Sequence, residues 1–291
     1  MFLGEPNVQR ESRTLLSTAA GIVPRDYLHA AMAAPQGIAP MPRVCQELAE
    51  LAANDSVDGA QYSRLIQSDP VLAGEIMRVA NSPALRPRTA IVSLQQAVSW
   101  LGVAEVRSIA TAIMLRGEVF VAPGHEPESE ELWREAWFAS LWAKEVARLR
   151  RKHVEAAFLA ALMHRTGSAL AMKILARFEI EQRTALDARS FGELVAEFDP
   201  PFARMLMEGW RISPEIQIAA TDWRDYRSSS QADLAATVHA AHVLAGHTMH
   251  PQLLVEEIAL ESPVWEYLGV FVDQRKTLLA MREHIRAAAG V

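Results

Sequence analysis

Apolar residues recur at helical spacing, punctuated by capping residues, through nearly all of this 291-residue chain, and almost no β-branched alternating stretch reaches strand length. The pattern restricts the chain to an all-α fold. Val44, Leu48 and Leu51 mark an amphipathic helix over Met41–Ala53, entered through Pro40 and Pro42 and ended by Asn54-Asp55. Asp69-Pro70 reads as an N-cap followed by the first helical residue, because aspartate accepts an otherwise unpaired backbone N–H and proline has none to waste there. That helix carries Leu72, Ile76 and Val79 on one face, runs to about Ala80 and stops at Asn81-Ser82-Pro83. Ser93 and Gln96 stand at capping-box spacing and open a helix that closes at Gly102, and the next helix turns Val106, Ala110, Ile113 and Met114 inward.

The stretch Val121–Glu131 is rich in proline, glycine and acid, and reads as a surface loop between two helical layers. A helix over 130–152 follows, with Trp133, Ala136, Trp137, Ser140, Ala143 and Ala147 on its buried side, so Trp137 is expected in the core against the helix that ends at His164. Arg148, Arg150, Arg151 and Lys152 crowd its end, where cations complement the helix dipole; no aromatic residue is interleaved with them as a nucleic-acid surface would require. Further helices are expected near 155–164, 168–178, 190–197, 201–209, 213–225, 231–245, 252–260 and 273–288, the last capped by Asp273 and Gly290.

Half of the residues are hydrophobic, enough for a large core, while a net charge of −6 spread over both signs gives no general attraction to nucleic acid or anionic membrane. The single cysteine, Cys45, excludes an intramolecular disulfide and fits a reducing compartment, so a cytoplasmic location is expected. Glu5 and Pro6 stand where a signal peptide needs a basic start and an apolar run, and no stretch of about 18 apolar residues is long enough to cross a membrane.

No phosphate-cradling glycine loop or nucleophile elbow is present, and Cys45 has no histidine beside it, so it reads as a packed thiol. Histidine is the better lead. His239 and His242 would share a face of one continuous helix, with His250 returning to it, but Gly246 and Pro251 argue against that continuity. No carboxylate stands at ligand spacing, so His239, His242, His247 and His250 read as ordinary helix-end or half-buried residues. His164-Arg165 has a local explanation, in which Gly167 is a helix C′ residue and the two basic residues face the last carbonyls. That explanation leaves one thing over: Ala156–Met163 is apolar nearly all round, and an arginine at the end of a buried helix needs a partner or a route to water.

The segments GIAPMPRVCQELAELAAN, LIQSDPVLAGEIMRVANSP and IVSLQQAVSWLGVAEVRSIATAI, in that order, resemble the opening of the HDOD domain, a helical signalling module related to HD-type metal phosphohydrolases. LWREAWFASLWAKEVA and AAFLAALMHRTGSALAM resemble the two helices that bring the first histidine and the His-Asp pair to the metal in active HD hydrolases. The resemblance implies an N-terminal helical bundle packed on an HD-domain-like helical core: an arm and short helix over 1–35, the HDOD domain over 36–245 (bundle 36–120, core 130–245), and a helical extension over 246–291. It places the first histidine slot at Glu135, the His-Asp pair at His164-Arg165, a later histidine near Asp199 or Pro200, a His-His pair near Asp222-Trp223, and the final aspartate near His242.

Only His164 keeps the expected type. An arginine cannot bind a metal, since its guanidinium stays protonated, offers no lone pair and repels a divalent cation. The expectation is therefore a degenerate site at Glu135, His164, Arg165, Asp199, Asp222 and His242, with no catalytic residue, no metal and no cofactor. Arg165 is expected to stand in for the lost cation by pairing with Glu135, Asp199 or Asp222. The function implied is a non-catalytic regulatory protein working through signalling proteins, with no membrane or nucleic-acid partner expected and self-association left open. The alternative is a phosphohydrolase acting on a nucleotide or cyclic dinucleotide through Glu135, His164, Asp222 and His242.

Overall fold

The computed structural model describes residues 23–33, 46–47, 59–82, 85, 87 and 89–289, and among them every regular element is a helix. Cys45 and nearly all of the Met41–Ala53 helix lie outside the described residues, as does Gly290; Gln46 and Glu47 are helical. The first element, α1 (Pro24–Ala33), packs on two helices far along the chain. It lays the fully buried Leu28 into the core formed by the C-terminal two thirds of the chain.

A separate bundle follows, made of α2 (Gly59–Gln67), α3 (Pro70–Ala80), α4 (Leu94–Leu101) and the first half of α5 (Val103–Glu118). Its caps are those the sequence specifies. Asp69 accepts the Leu72 N–H at 3.0 Å, and Ser93 accepts the Gln96 N–H at 3.2 Å. Gln96 reaches one residue beyond the capping-box position, to the Val92 N–H at 3.0 Å. Gly102 closes α4 with φ +81°, a backbone state open to glycine at little cost. Leu72 and Ile76 are wholly buried, each contributing about 1.5–3 kcal/mol, whereas Val79 is only partly covered and Ala80 takes its place in the core. Asn81 ties the end of α3 to the strand-like approach to α4: its amide donates to Ile91 O at 2.9 Å and accepts the Ile91 N–H at 2.8 Å. Along α5 the buried positions are Val106, Ser108, Ile109, Ala110, Ala112 and Leu115, so Ile113 and Met114 are half-covered rather than inward.

The second half of α5 crosses into the main core, which is organised around α6 (Glu126–Leu149). This helix begins earlier than its sequence suggests, shortening the expected loop, because Pro127 suits a first turn and Glu126 and Glu128 favour the positive end of the dipole. It is buried on almost every side between Leu132 and Ala147 and packs on α7 (Val154–Met163) and α11 (Ala232–Met249). Trp142 is its deepest side chain, donating its indole N–H to Thr248 at 2.9 Å. Trp137 instead is half-exposed, stacked on Trp133 with ring centroids 5.8 Å apart and edge-on to Phe158. Trp137→Ala should therefore cost about 2 kcal/mol in urea unfolding, below the roughly 3–5 of a fully buried tryptophan. Of the cations at its end, Arg150 pairs with Asp233 and donates to Leu268 O, in addition to any dipole role.

Several helices expected as separate pieces are continuous, or the reverse. α8 (Thr166–Gln182) is followed by α9 (Ala188–Gly209), one helix that carries Pro200 and Pro201 inside it. Tertiary packing of Phe198, Phe202 and Leu206 outweighs the two hydrogen bonds the prolines cannot make. The expected 213–225 helix is α10 (Pro214–Thr221) plus a 3₁₀ turn at Trp223–Asp225, and α11 continues through Gly246 to Met249. The tail folds as α12 (Glu256–Glu261), α13 (Val264–Leu268), α14 (Val272–Ala280) and α15 (Arg282–Ala289); the single helix expected over 273–288 breaks at Met281, and Gln274 rather than Asp273 serves its start by accepting the Phe271 N–H.

Candidate functional site

His164 and Arg165 form the joint between α7 and α8, where the chain leaves one buried helix and starts another. Gly167 is not a C′ residue. It sits in the first turn of α8 against the middle of α9, and a Cβ built on it would lie 1.8 Å from the carbonyl oxygen of Asp199. Only glycine lets the two helices approach so closely. The approach brings the Ser168 N–H within 2.9 Å of Asp199 Oδ1 and carries the Asp199 carboxylate, 4 % exposed, into the interior next to Arg165.

Four helices thus converge. Glu135 from α6 accepts from His242 Nδ1 of α11 at 2.8 Å through Oε1, and lies 3.3 Å from Arg165 Nε through Oε2. The latter is an ion pair without hydrogen-bond alignment, for Arg165 Nε is buried and has no hydrogen-bond partner. Arg165 Nη1 is 3.8 Å from Asp199 Oδ2, and Arg224 completes that pair at 2.9 Å. His164, 1 % exposed, donates from Nδ1 to the Ala161 carbonyl, a bond that fixes its tautomer and leaves the Nε2 lone pair facing His242 Nδ1 at 3.3 Å. Trp223 walls the site, its ring 5.1 Å from that of His164 and 4.3 Å from that of His242, with the Arg224 guanidinium 4.2 Å above it. An open cleft of about 560 Å³ is lined by Glu135, Arg165, Ser168 and Arg224.

Burial pushes the Glu135 carboxyl up, but the His242 hydrogen bond and the neighbouring positive charge, Arg165 first, outweigh it and hold the group at about 2. Burial keeps His164 well below the ordinary imidazole range, with the charges of His242 and Arg165 acting in the same direction. His239, also lowered by burial, donates to Trp223 O. Both kinds of shift give stability that is lost in acid. Below about pH 6.5 an unfolded His164 takes up a proton that the folded one refuses, and below about 4.5 the same holds for Glu135 until the folded carboxyl itself titrates. The urea midpoint should accordingly fall in two stages between pH 7 and pH 3, and His164→Gln should shrink the first stage while leaving the second.

The structure brings Glu135, His164, Arg165, Asp199 and His242 together, and Arg165 pairs with Glu135 and Asp199 of its three candidate partners. Asp222 does not join: its carboxylate accepts from the neighbouring Thr221 hydroxyl at 3.2 Å. The continuity of α11 does not gather its histidines, since His247 bonds Leu254 O and His250 pairs with Glu131. Arg224 escapes a sequence reading because it acts on Asp199 across 25 residues, and Trp223, which the resemblance gives only as a lost His-His position, serves instead as a wall of the site.

Among the described residues, Glu135, His164 and His242 offer donor atoms within 4.8 Å of one another, a spacing that could surround a metal ion. Their charge state does not fit the metal centre of an HD hydrolase. Glu135 Oε1 already accepts from His242 Nδ1, its Oε2 faces Arg165 at 3.3 Å, and the permanent Arg165 charge beside it would repel a divalent cation.

A family model for the HDOD domain matches residues 38–224. No curated protein matches the chain. Among solved structures, an HDOD domain protein with unknown function from Geobacter sulfurreducens superposes with a TM-score of 0.69 at 16 % identity, over 91 % of this chain and 96 % of that one. A Shewanella amazonensis SB2B protein named "Putative metal-dependent phosphohydrolase" gives 0.65 at 18 %, over 90 % and 99 %. One from Marinobacter aquaeolei VT8 named "Putative signal transduction protein" gives 0.66 at 22 %, over 92 % and 65 %. At these identities the likeness is one of fold.

Proposed function

This chain belongs to the HDOD family, and from that premise we propose that it is a non-catalytic regulatory protein that acts in signal transduction through protein partners in the cytoplasm. The observation that carries the reading is Arg165. In the HD arrangement a carboxylate at this position would bind the metal and help activate water; here a guanidinium neutralises Glu135 and Asp199 instead. The former reaction centre becomes a set of internal ion pairs joining α6, α8, α9 and α11.

One observation favours a second reading, a phosphohydrolase acting on a nucleotide or cyclic dinucleotide with a rearranged ligand set: the convergence of Glu135, His164 and His242, without Asp222. Elemental analysis of protein purified without a histidine tag separates the two. Iron, manganese and zinc are expected at well below one equivalent per chain, and phosphodiester hydrolysis should stay at the background rate with any of them added. A stoichiometric metal that is lost in His164→Ala would establish the second reading. Partners are then sought by affinity capture from the native host, followed by mass spectrometry.

A further inference from the structure

A second cavity, of about 440 Å³, opens where the N-terminal bundle meets the core, and it shares no lining residue with the Glu135 cleft. Its walls are Phe158, Leu159 and Met163 of α7, with Trp210, Ile212 and Ile216 from the end of α9 and the face of α10. Its size falls within the roughly 300–1,000 Å³ typical of small-molecule pockets, and its walls are apolar as such pockets usually are. Its polar side comes from α5. The Ser108 and Thr111 hydroxyls are turned back onto their own helix, bonding Ala104 O and Arg107 O, so neither competes for a ligand.

Arg107 is different. It is half-buried at the cavity wall, and among the described residues its guanidinium has no ion pair or hydrogen bond. Among the described residues most other arginines are paired, including Arg116, Arg148, Arg150 and Arg165. A half-buried, unpaired guanidinium beside an apolar chamber is complementary to an anion carried on an apolar body, and its planar fork matches a carboxylate. Two exposed groups stand at the mouth, His153 and Glu155; the Glu155 charge is spread into water and opposes an anion only weakly.

We propose that this cavity is a binding site for a small amphipathic monocarboxylate, its carboxylate on Arg107 and its apolar body among Phe158, Met163 and Trp210. The ligand would bridge α5 and α7, adding to the ion pair by which Glu105 of α5 already meets the buried Lys144 of α6. Occupancy would therefore be read as a change in how the bundle sits on the core. The proposal does not depend on whether the Glu135 centre is catalytic, so its failure leaves the reading above standing.

Titration calorimetry of the full chain with decanoate tests it, with decan-1-ol and decylamine as matched neutral and cationic probes. Decanoate should bind at one site and at least about tenfold more tightly than either comparator, the size of a lost charged hydrogen bond. Arg107→Gln should erase that preference while leaving weak decan-1-ol binding, and Ile216→Trp should abolish binding of all three by filling the chamber. Thermal unfolding checks that each variant is folded; should one fail, the other and the comparator series still decide. Equal binding of the three probes, no binding of decanoate, or a preference that survives Arg107→Gln would each overturn the proposal.

Discussion

Replacing Arg165 with alanine is expected to destabilise the protein by about 3 kcal/mol in urea unfolding, the lower end of the roughly 3–5 seen when one partner of a buried pair is removed. The estimate sits low because neither carboxylate is left wholly alone: Glu135 keeps His242, and Asp199 keeps Arg224 and the Ser168 N–H. The double variant Arg165→Ala/Glu135→Gln should recover part of the loss, since it removes both the charge and its counter-charge. An arginine that merely reached solvent would cost less than about 0.5 kcal/mol, and the second change would then add to the first rather than offset it. Either result would sink the idea that Arg165 replaces a cation.

Gly167→Ala should do more harm still, about 4 kcal/mol or more, beyond the usual 1–3 for an overpacked core. The reason is the identity of the obstacle. A side-chain neighbour could rotate away, but the added carbon meets the Asp199 backbone carbonyl at 1.8 Å, so α8 and α9 must separate along their contact. Separation would also stretch the Ser168–Asp199 hydrogen bond and pull Asp199 from Arg165. A loss under about 1 kcal/mol would mean that the two helices have slack at this crossing.

The elements whose signals are local were legible in the sequence. Asp69-Pro70, Ser93 and Gly102 act within one helical turn of themselves, and each does in the structure what its chemistry dictates. Positions governed by packing were not. Separate helices were expected near 190–197 and 201–209, yet α9 runs through Pro200 and Pro201 because its apolar face is held by α8. Gly167 read as a helix end because a glycine after two basic residues has that local meaning; the contact that requires it is 32 residues away in sequence, at Asp199. The site itself was legible in part. Its convergence on Glu135, His164, Arg165 and His242 came from the family resemblance, and the pairing of Arg165 from the cost of burying a charge. Arg224 was absent from that reading, since nothing near it in sequence shows that it stacks on Trp223 and reaches Asp199.

The position of α1 bears on how the chain folds. Its Leu28 packs in the same cluster as Leu175 of α8 and Phe202 of α9, Tyr27 stands edge-on to Phe178 with ring centroids 5.3 Å apart, and the Tyr27 hydroxyl donates to Glu181 at 2.7 Å, a bond spanning 154 residues. The whole N-terminal bundle is thus an excursion from a core that begins before it and resumes after it. Closing so long a loop adds little to the equilibrium cost, about 0.6 kcal/mol for each doubling of length. Its weight falls on kinetics, because contacts of high sequence separation slow folding. The bundle and the α6–α9 core can each nucleate on short-range contacts, and docking of α1 is the step that must wait for α8 and α9 to offer it a surface.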